Sequence, residues 1–157
     1  MIVTPQANKV LELYTGKIKS ITGTGLCYIG FSSTTPNDDG SNFTEPSPVA
    51  YPSYRRELLN VKEGMPYADY FTDVVNGAVS NAKEFCSAEC KESGGWPTFT
   101  HFGLFDAETG GNMLAFDLLR DPEGVPDSNG LYPAKALTVT LNHVAVFRIG
   151  TLQLSLK

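Results

Sequence analysis

The sequence predicts an all-β fold, mainly antiparallel, arranged as a β-sandwich or jelly roll with one short N-terminal helix. Three observations carry that expectation. Fifteen glycines and ten prolines are spread along all 157 residues, where they punctuate short segments. In the C-terminal third, Leu137, Val139 and Leu141 alternate with Thr138 and Thr140, and Leu152, Leu154 and Leu156 alternate with Gln153 and Ser155, the period of strands with one buried face. Finally, Phe99, Phe102, Leu104 and Phe105 form a strand-like run that Glu108, Thr109, Gly110, Gly111 and Asn112 turn back into residues 113–119, as in a β-hairpin.

At this length one real core can form without staples, and 41% apolar against 18% charged residues is an ordinary globular balance. One domain spanning residues 1–157 is expected. It begins with a short amphipathic helix near residues 5–15. Thr4 is placed as its N-cap, Pro5 as its first residue, Val10, Leu13 and Tyr14 as its apolar stripe and Gly16 as its stop. A helix of that length is too short to stand alone, so the sandwich or a neighbour must cover the stripe. Residues 26–33, rich in aromatic and β-branched side chains after Gly23 and Gly25, read as a strand.

Residues 34–50 contain Pro36, Asn37, Asp38, Asp39, Gly40, Pro46 and Pro48 and read as a long exposed loop, a segment suited to ordering on a partner. Residues 51–61 suit an edge strand that tolerates Pro52 at its start, whereas residues 65–75 have no clean period. Residues 79–90 are ambiguous, their Ala, Lys and Glu content favouring helix. The hairpin over residues 98–119 follows, and a strand over residues 144–149 lies between the two alternating ones, whose leucines and Val139 are expected between two sheets.

A net charge of -5 and a pI near 4.9 repel phosphate backbones, so no nucleic-acid partner is expected. Residues 1–10 lack the pattern of a secretory signal and no apolar run reaches the length of a membrane span, so no membrane partner is expected either. Cys27, Cys86 and Cys90 form an odd set that suits free thiols made in a reducing compartment. A disulfide, or a zinc site formed by Cys86 and Cys90 with His101, is the alternative. Only His101 and His143 could serve acid and base work near neutral pH. There is no Gly-x-Ser-x-Gly elbow and no phosphate loop, and Gly23-Thr24-Gly25 lacks the third glycine of a dinucleotide site. No catalytic residue, cofactor or metal is therefore expected.

Four other constellations have two readings each. Asp38, Asp39, Ser41 and Asn42 gather oxygen ligands as calcium loops do, or are turn residues. Asn42-Phe43-Thr44 matches a glycosylation triplet and is read as chance. Trp96 is a core or subunit contact, or else the platform of a sugar groove built with Tyr67, Tyr70 and the loop of residues 34–50. Asp106 and Glu108 form a solvated pair at the hairpin tip, or a glycosidase pair facing a cleft.

From residue 28 onward four stretches carry a family resemblance. They are Tyr28-Ile29-Gly30-Phe31-Ser32 with Pro36-Asn37-Asp38-Asp39-Gly40-Ser41 and Glu45-Pro46; Tyr54-Arg55-Arg56; Val79-Ser80-Asn81-Ala82 with Phe85; and residues 96–112, WPTFTHFGLFDAETGGN. The chain resembles a family of small bacteriophage virion proteins often described as tail fibre or minor structural proteins. It departs from them at residues 86–93 and extends past Leu141 with an additional strand pair.

The resemblance implies a non-enzymatic virion subunit in the tail, tail fibre or neck, assembled in the host cytoplasm and packed against other virion proteins. A homo-oligomer is implied too, with trimeric symmetry as the expectation. A head decoration protein and a carbohydrate-binding adhesion module on a host-surface glycan are the alternatives. The helix near residues 5–15 and the loop of residues 34–50 are the expected contact elements.

Overall fold

Ile29 and Phe31 alternate with Tyr28, Gly30 and Ser32, and His101, Gly103 and Phe105 alternate with Phe102 and Leu104, so each run can present one apolar face to a core. The computed structural model, which describes residues 3–4, 27–59, 72 and 78–155, pairs these two runs at the centre of an all-β fold. Its strands are β1 (Tyr28–Ser32), β2 (Glu57–Leu58), β3 (Ala78–Ser80), β4 (Phe85–Cys86), β5 (His101–Phe105), β6 (Met113–Leu118), β7 (Val146–Phe147) and β8 (Gln153–Ser155). A four-stranded sheet runs β2-β1-β5-β6, and two-stranded sheets pair β3 with β8 and β4 with β7, all antiparallel.

Directly opposed residues of antiparallel strands share a face. Ile29 faces Leu104 and Phe31 faces Phe102, and all four are buried. Over them lies the β4–β7 pair. Phe147 stacks on Phe31 with ring centres 5.1 Å apart and on Phe85 at 5.6 Å, while Phe99 and Tyr54 close the far side. Two layers thus enclose one aromatic core in a sandwich-like arrangement. Each such ring pair adds about 0.5–1.5 kcal/mol beyond its buried area.

The expected helix near residues 5–15 lies outside the described residues. Next to it, Val3 is buried and its amide donates to Leu114 O, and the Thr4 amide donates to Asp38 O. The hairpin is present as β5–β6, with a bulge between Leu104 and Phe105. Of the expected edge strand over residues 51–61, the described residues 51–59 form only β2, at the edge of the large sheet, and residues 60–61 lie outside the described residues.

Three expectations change. Residues 79–90 are not helical but hold the end of β3 and all of β4, because Phe85 gains more against Phe147 than the local Ala and Lys content gains from a helix. Residues 137–141 form no strand. Leu137 exchanges backbone bonds with Phe99, Val139 O accepts from the Trp96 amide, and a turn follows at residues 141–142, with Asn142 left-handed (φ 60°). Val139 is therefore buried, whereas Leu141 sits in the turn and is 40% exposed rather than in the core. The strand expected over residues 144–149 shrinks to β7, whose neighbours Val144 and Ile149 face solvent.

Candidate functional site

On the second face of the large sheet, Gly30 stands directly opposite Gly103. Two side chains are missing from adjacent strands at one level, and the result is a trough. A Cβ on Gly30 would overlap the Glu45 carboxylate, and one on Gly103 would come 2.8 Å from the Phe43 ring. The glycines are needed here because the loop of residues 34–50 lies in the trough.

Glu45 meets Arg56 there. Arg56 Nε donates to both carboxylate oxygens (3.0 and 3.1 Å) and Nη2 donates to Oε2 at 2.6 Å. Its Nη1 donates to the carbonyls of Ala107 (3.0 Å) and Gly110 (2.7 Å), and its guanidinium carbon lies 3.4 Å from the centre of the Phe105 ring. One largely buried arginine therefore ties the loop, the sheet and the hairpin tip together, in the planar, forked geometry that lysine does not offer.

The same cluster completes the edge of β1. Beyond Ile29 the strand β2 has run out, and the Phe31 amide donates instead to the Tyr54 hydroxyl (2.8 Å), which donates to Glu45 Oε1 (3.0 Å). One residue pair further on, the Ser33 amide donates to Thr44 O. Burial, reinforced by the Glu45 charge, pushes the Tyr54 phenol well above its ordinary value. The loop is also stitched to itself: Asn37 and Ser41 bond through backbone and side chains, and Pro36 and Pro46 are buried. These bonds tie the loop to itself and to its own sheet within one chain.

A second network holds the tryptophan. Glu92 Oε1 accepts from the Ser53 amide (3.0 Å), and Oε2 accepts from Trp96 Nε1 (2.9 Å), the Lys91 amide (3.2 Å) and the Ser53 hydroxyl. The Ser53 hydroxyl bond leads the causes that bring the Glu92 carboxyl down to about 2. Trp96 is buried with its ring edge-on to Tyr54, so it offers no stacking platform. Tyr67 and Tyr70, its expected companions in a sugar groove, lie outside the described residues.

The remaining candidates fall into place one by one. Asp106 accepts from the amide (2.6 Å) and side chain (2.8 Å) of Asn112 across a turn in which Gly110 and Gly111 are left-handed, while Glu108 is exposed. Asp106 closes the hairpin and does not face Glu108 across a cleft. Asp39 Oδ1 accepts from the Ser41 amide (2.9 Å), which is turn chemistry, and Asn42 is left-handed and bonded to Thr35 O. All three cysteines are free. Cys27 is buried, which pushes its thiol up to about 12; Cys90 is buried and Cys86 exposed, so the last two share no face.

His101 is buried with Nδ1 2.8 Å from Thr100 Oγ1. Desolvation lowers its pKa and the Asp117 charge opposes the shift. His143 is exposed and its Nδ1 meets Thr140 Oγ1 and Leu141 O. Among the described residues no three His, Cys, Asp or Glu side chains gather as a metal requires, and no helix is long and apolar enough to cross a membrane.

Sequence reasoning missed the roles of Glu45, Arg56, Glu92 and Asn81. Asn81 is fully buried. Its Nδ2 donates to Lys83 O (2.8 Å) and Arg148 O (2.9 Å), and its Oδ1 accepts from the Leu152 amide (2.9 Å), so it staples the β3–β4 turn to the chain between β7 and β8. All but Glu92 stand inside the stretches singled out above. Their signal was visible, but not the partner each one takes.

A family model described as "Podophage GP4 fiber I protein gp80" matches residues 2–142. No curated protein matches the chain.

Proposed function

The chain belongs to the podophage GP4 fiber I protein family, and from that premise we propose that it works as a non-enzymatic subunit of the tail or its fibres, packed as one domain against other virion proteins. Virion residence and fibre-type structural character come with the family. The absence of catalysis, the tail location and the multi-copy arrangement, with trimeric symmetry as our choice, are the proposed part.

The observation that carries this reading is where the polar side chains of the quoted stretches point. Glu45, Tyr54, Arg56, Asn81 and Asp106 all close internal ties between loops and strands. Groups saturated in this way stiffen a scaffold, and they are not poised to bind or attack a substrate. The buried Trp96 speaks against the carbohydrate-binding alternative.

Quantitative mass spectrometry and gold labelling of purified particles test the proposal. We expect several copies per particle, labelled at the tail. Absence from particles would refute the reading, and labelling confined to the head would replace it with a decoration role.

A further inference from the structure

Between β7 and residues 135–137 runs a groove of about 490 Å³, with Val146, Phe147 and Arg148 on one wall and Lys135, Ala136 and Leu137 on the other. Both walls present backbone that pairs on only one side. Ala145 turns its amide and carbonyl to Ser87, so the groups of Val146, next along the strand, point away from β4. Lys135 donates to Leu119 and Leu137 exchanges bonds with Phe99, so the groups of Ala136 point away from them. Among the described residues neither Val146 nor Ala136 has a backbone partner on its outer side.

The edge is also unguarded. Natural sheet edges carry Lys, Pro or a bulge that deters pairing, whereas residues 144–147 read Val-Ala-Val-Phe. Val146 is 50% exposed and Val144 42%. Among the described residues, four of the six large exposed apolar ones, Leu141, Val144, Val146 and Ile149, fall within residues 141–149.

We infer that this groove receives one extended segment of another virion protein, which adds as a strand between Val146 and Ala136. The inference rests on the virion reading above. Two facing edges favour a single strand over a second folded copy, because the β7 of a second copy would bring its own β4 into the same slot. The charges favour an uncharged segment. Asp121 pairs with Lys135 at 3.0 Å and Glu123 with Arg148 at 3.8 Å, and with Glu84 and Arg120 the walls hold three acids and three bases.

A second observation is independent of the edges. Arg120, nine-tenths buried, uses Nη1 on Tyr132 O and Nη2 on Asp117, while its Nε has no acceptor among the described residues. Such an unpaired buried donor is unfavourable, and a backbone carbonyl brought in by the segment is the group that would satisfy it. The β7 wall lies beyond residues 2–142, which the family model matches, and the facing wall of residues 135–137 lies within them.

The test uses the full chain on purified particles. Val146→Pro removes the outward amide hydrogen and leaves the bonds through Ala145 in place, and edge strands tolerate proline. We expect the melting temperature to stay within about 4 °C and the copy number per particle to fall about tenfold, the scale of one or two lost hydrogen bonds; Val146→Thr should keep the wild-type number. A benzophenone side chain in place of Val146 should crosslink to one stretch of a different virion protein, and this readout decides the matter if the proline variant fails to fold. A wild-type copy number for a folded Val146→Pro, or crosslinks only to copies of this chain, overturns the groove assignment and leaves the virion reading standing. Absence of the wild-type protein from particles overturns both.

Discussion

β5 and β7 are both apolar and both pair antiparallel, but their surroundings differ. β5 lies between β1 and β6, with the aromatic core on one face and the clamped loop on the other, and all five of its residues are buried. Among the described residues β7 pairs with β4 alone, and only its inward residue Phe147 is covered. An apolar run in the sequence says that something must cover it. Whether the cover comes from the same chain is decided by distant residues, here Gly30, Glu45 and Arg56, which exist for β5 and have no counterpart at β7 among the described residues.

The sharpest way to break the comparison is to uncover β5. Arg56→Ala removes the guanidinium from Phe105 and leaves the Glu45 carboxylate in the trough without its partner, and a loss of about 3–5 kcal/mol is expected in urea unfolding. Arg56→Lys should recover only part of it, since a point charge cannot serve Glu45 and both carbonyls at once. Asn81→Ala comes next. It leaves the Leu152 amide unpaired inside the protein and removes one donor from the carbonyls of Lys83 and Arg148, for about 1–3 kcal/mol.

Acid sharpens the picture further. The folded state holds the Glu92 carboxyl at about 2 against an ordinary 4.5, so it binds that proton less tightly than the unfolded chain does. The stability from this group is complete above about 4.5 and drains away as pH falls towards 2. Burial lowers His101 below its ordinary 6.5, so the unfolded chain again takes the proton first and stability begins to fall as pH drops below that value. Thermal melts of Glu92→Gln should lose the share of Glu92 in the lower part of this pH dependence, keep that of Asp39, Asp121 and Asp127, whose carboxyls are also lowered, and keep the upper part.

The strands that the sequence made legible are those with local signals. The run over residues 28–32, the glycine turn before Met113 and the hairpin around it could all be read from neighbouring residues. Residues 79–90 could not, because Phe85 finds its reason to be a strand in Phe147, far along the chain. The alternation at residues 137–141 misled for a related reason. Its first half is held by Phe99 and Trp96, while Leu141 falls in a turn that the period alone does not show. Of the candidate site, Glu45, Tyr54, Arg56 and Asn81 were visible as members of quoted stretches, but a salt bridge across a glycine trough requires both strands to be in register first.

At the uncovered end the smallest effect is expected. Ile149 is 66% exposed, and Ile149→Ser should change the stability of the isolated protein by no more than about 0.5 kcal/mol. A larger loss would mean that the chain itself already covers this strip.

Amide hydrogen exchange, read on the isolated protein and again on intact particles, tests the contrast most directly. The account predicts that β1 and β5 are protected in both, and that Val144 and Val146 exchange freely in the isolated protein and become protected on the particle. Protection of Val144 and Val146 in the isolated protein to the level of β5, or exchange just as fast on the particle, would contradict it.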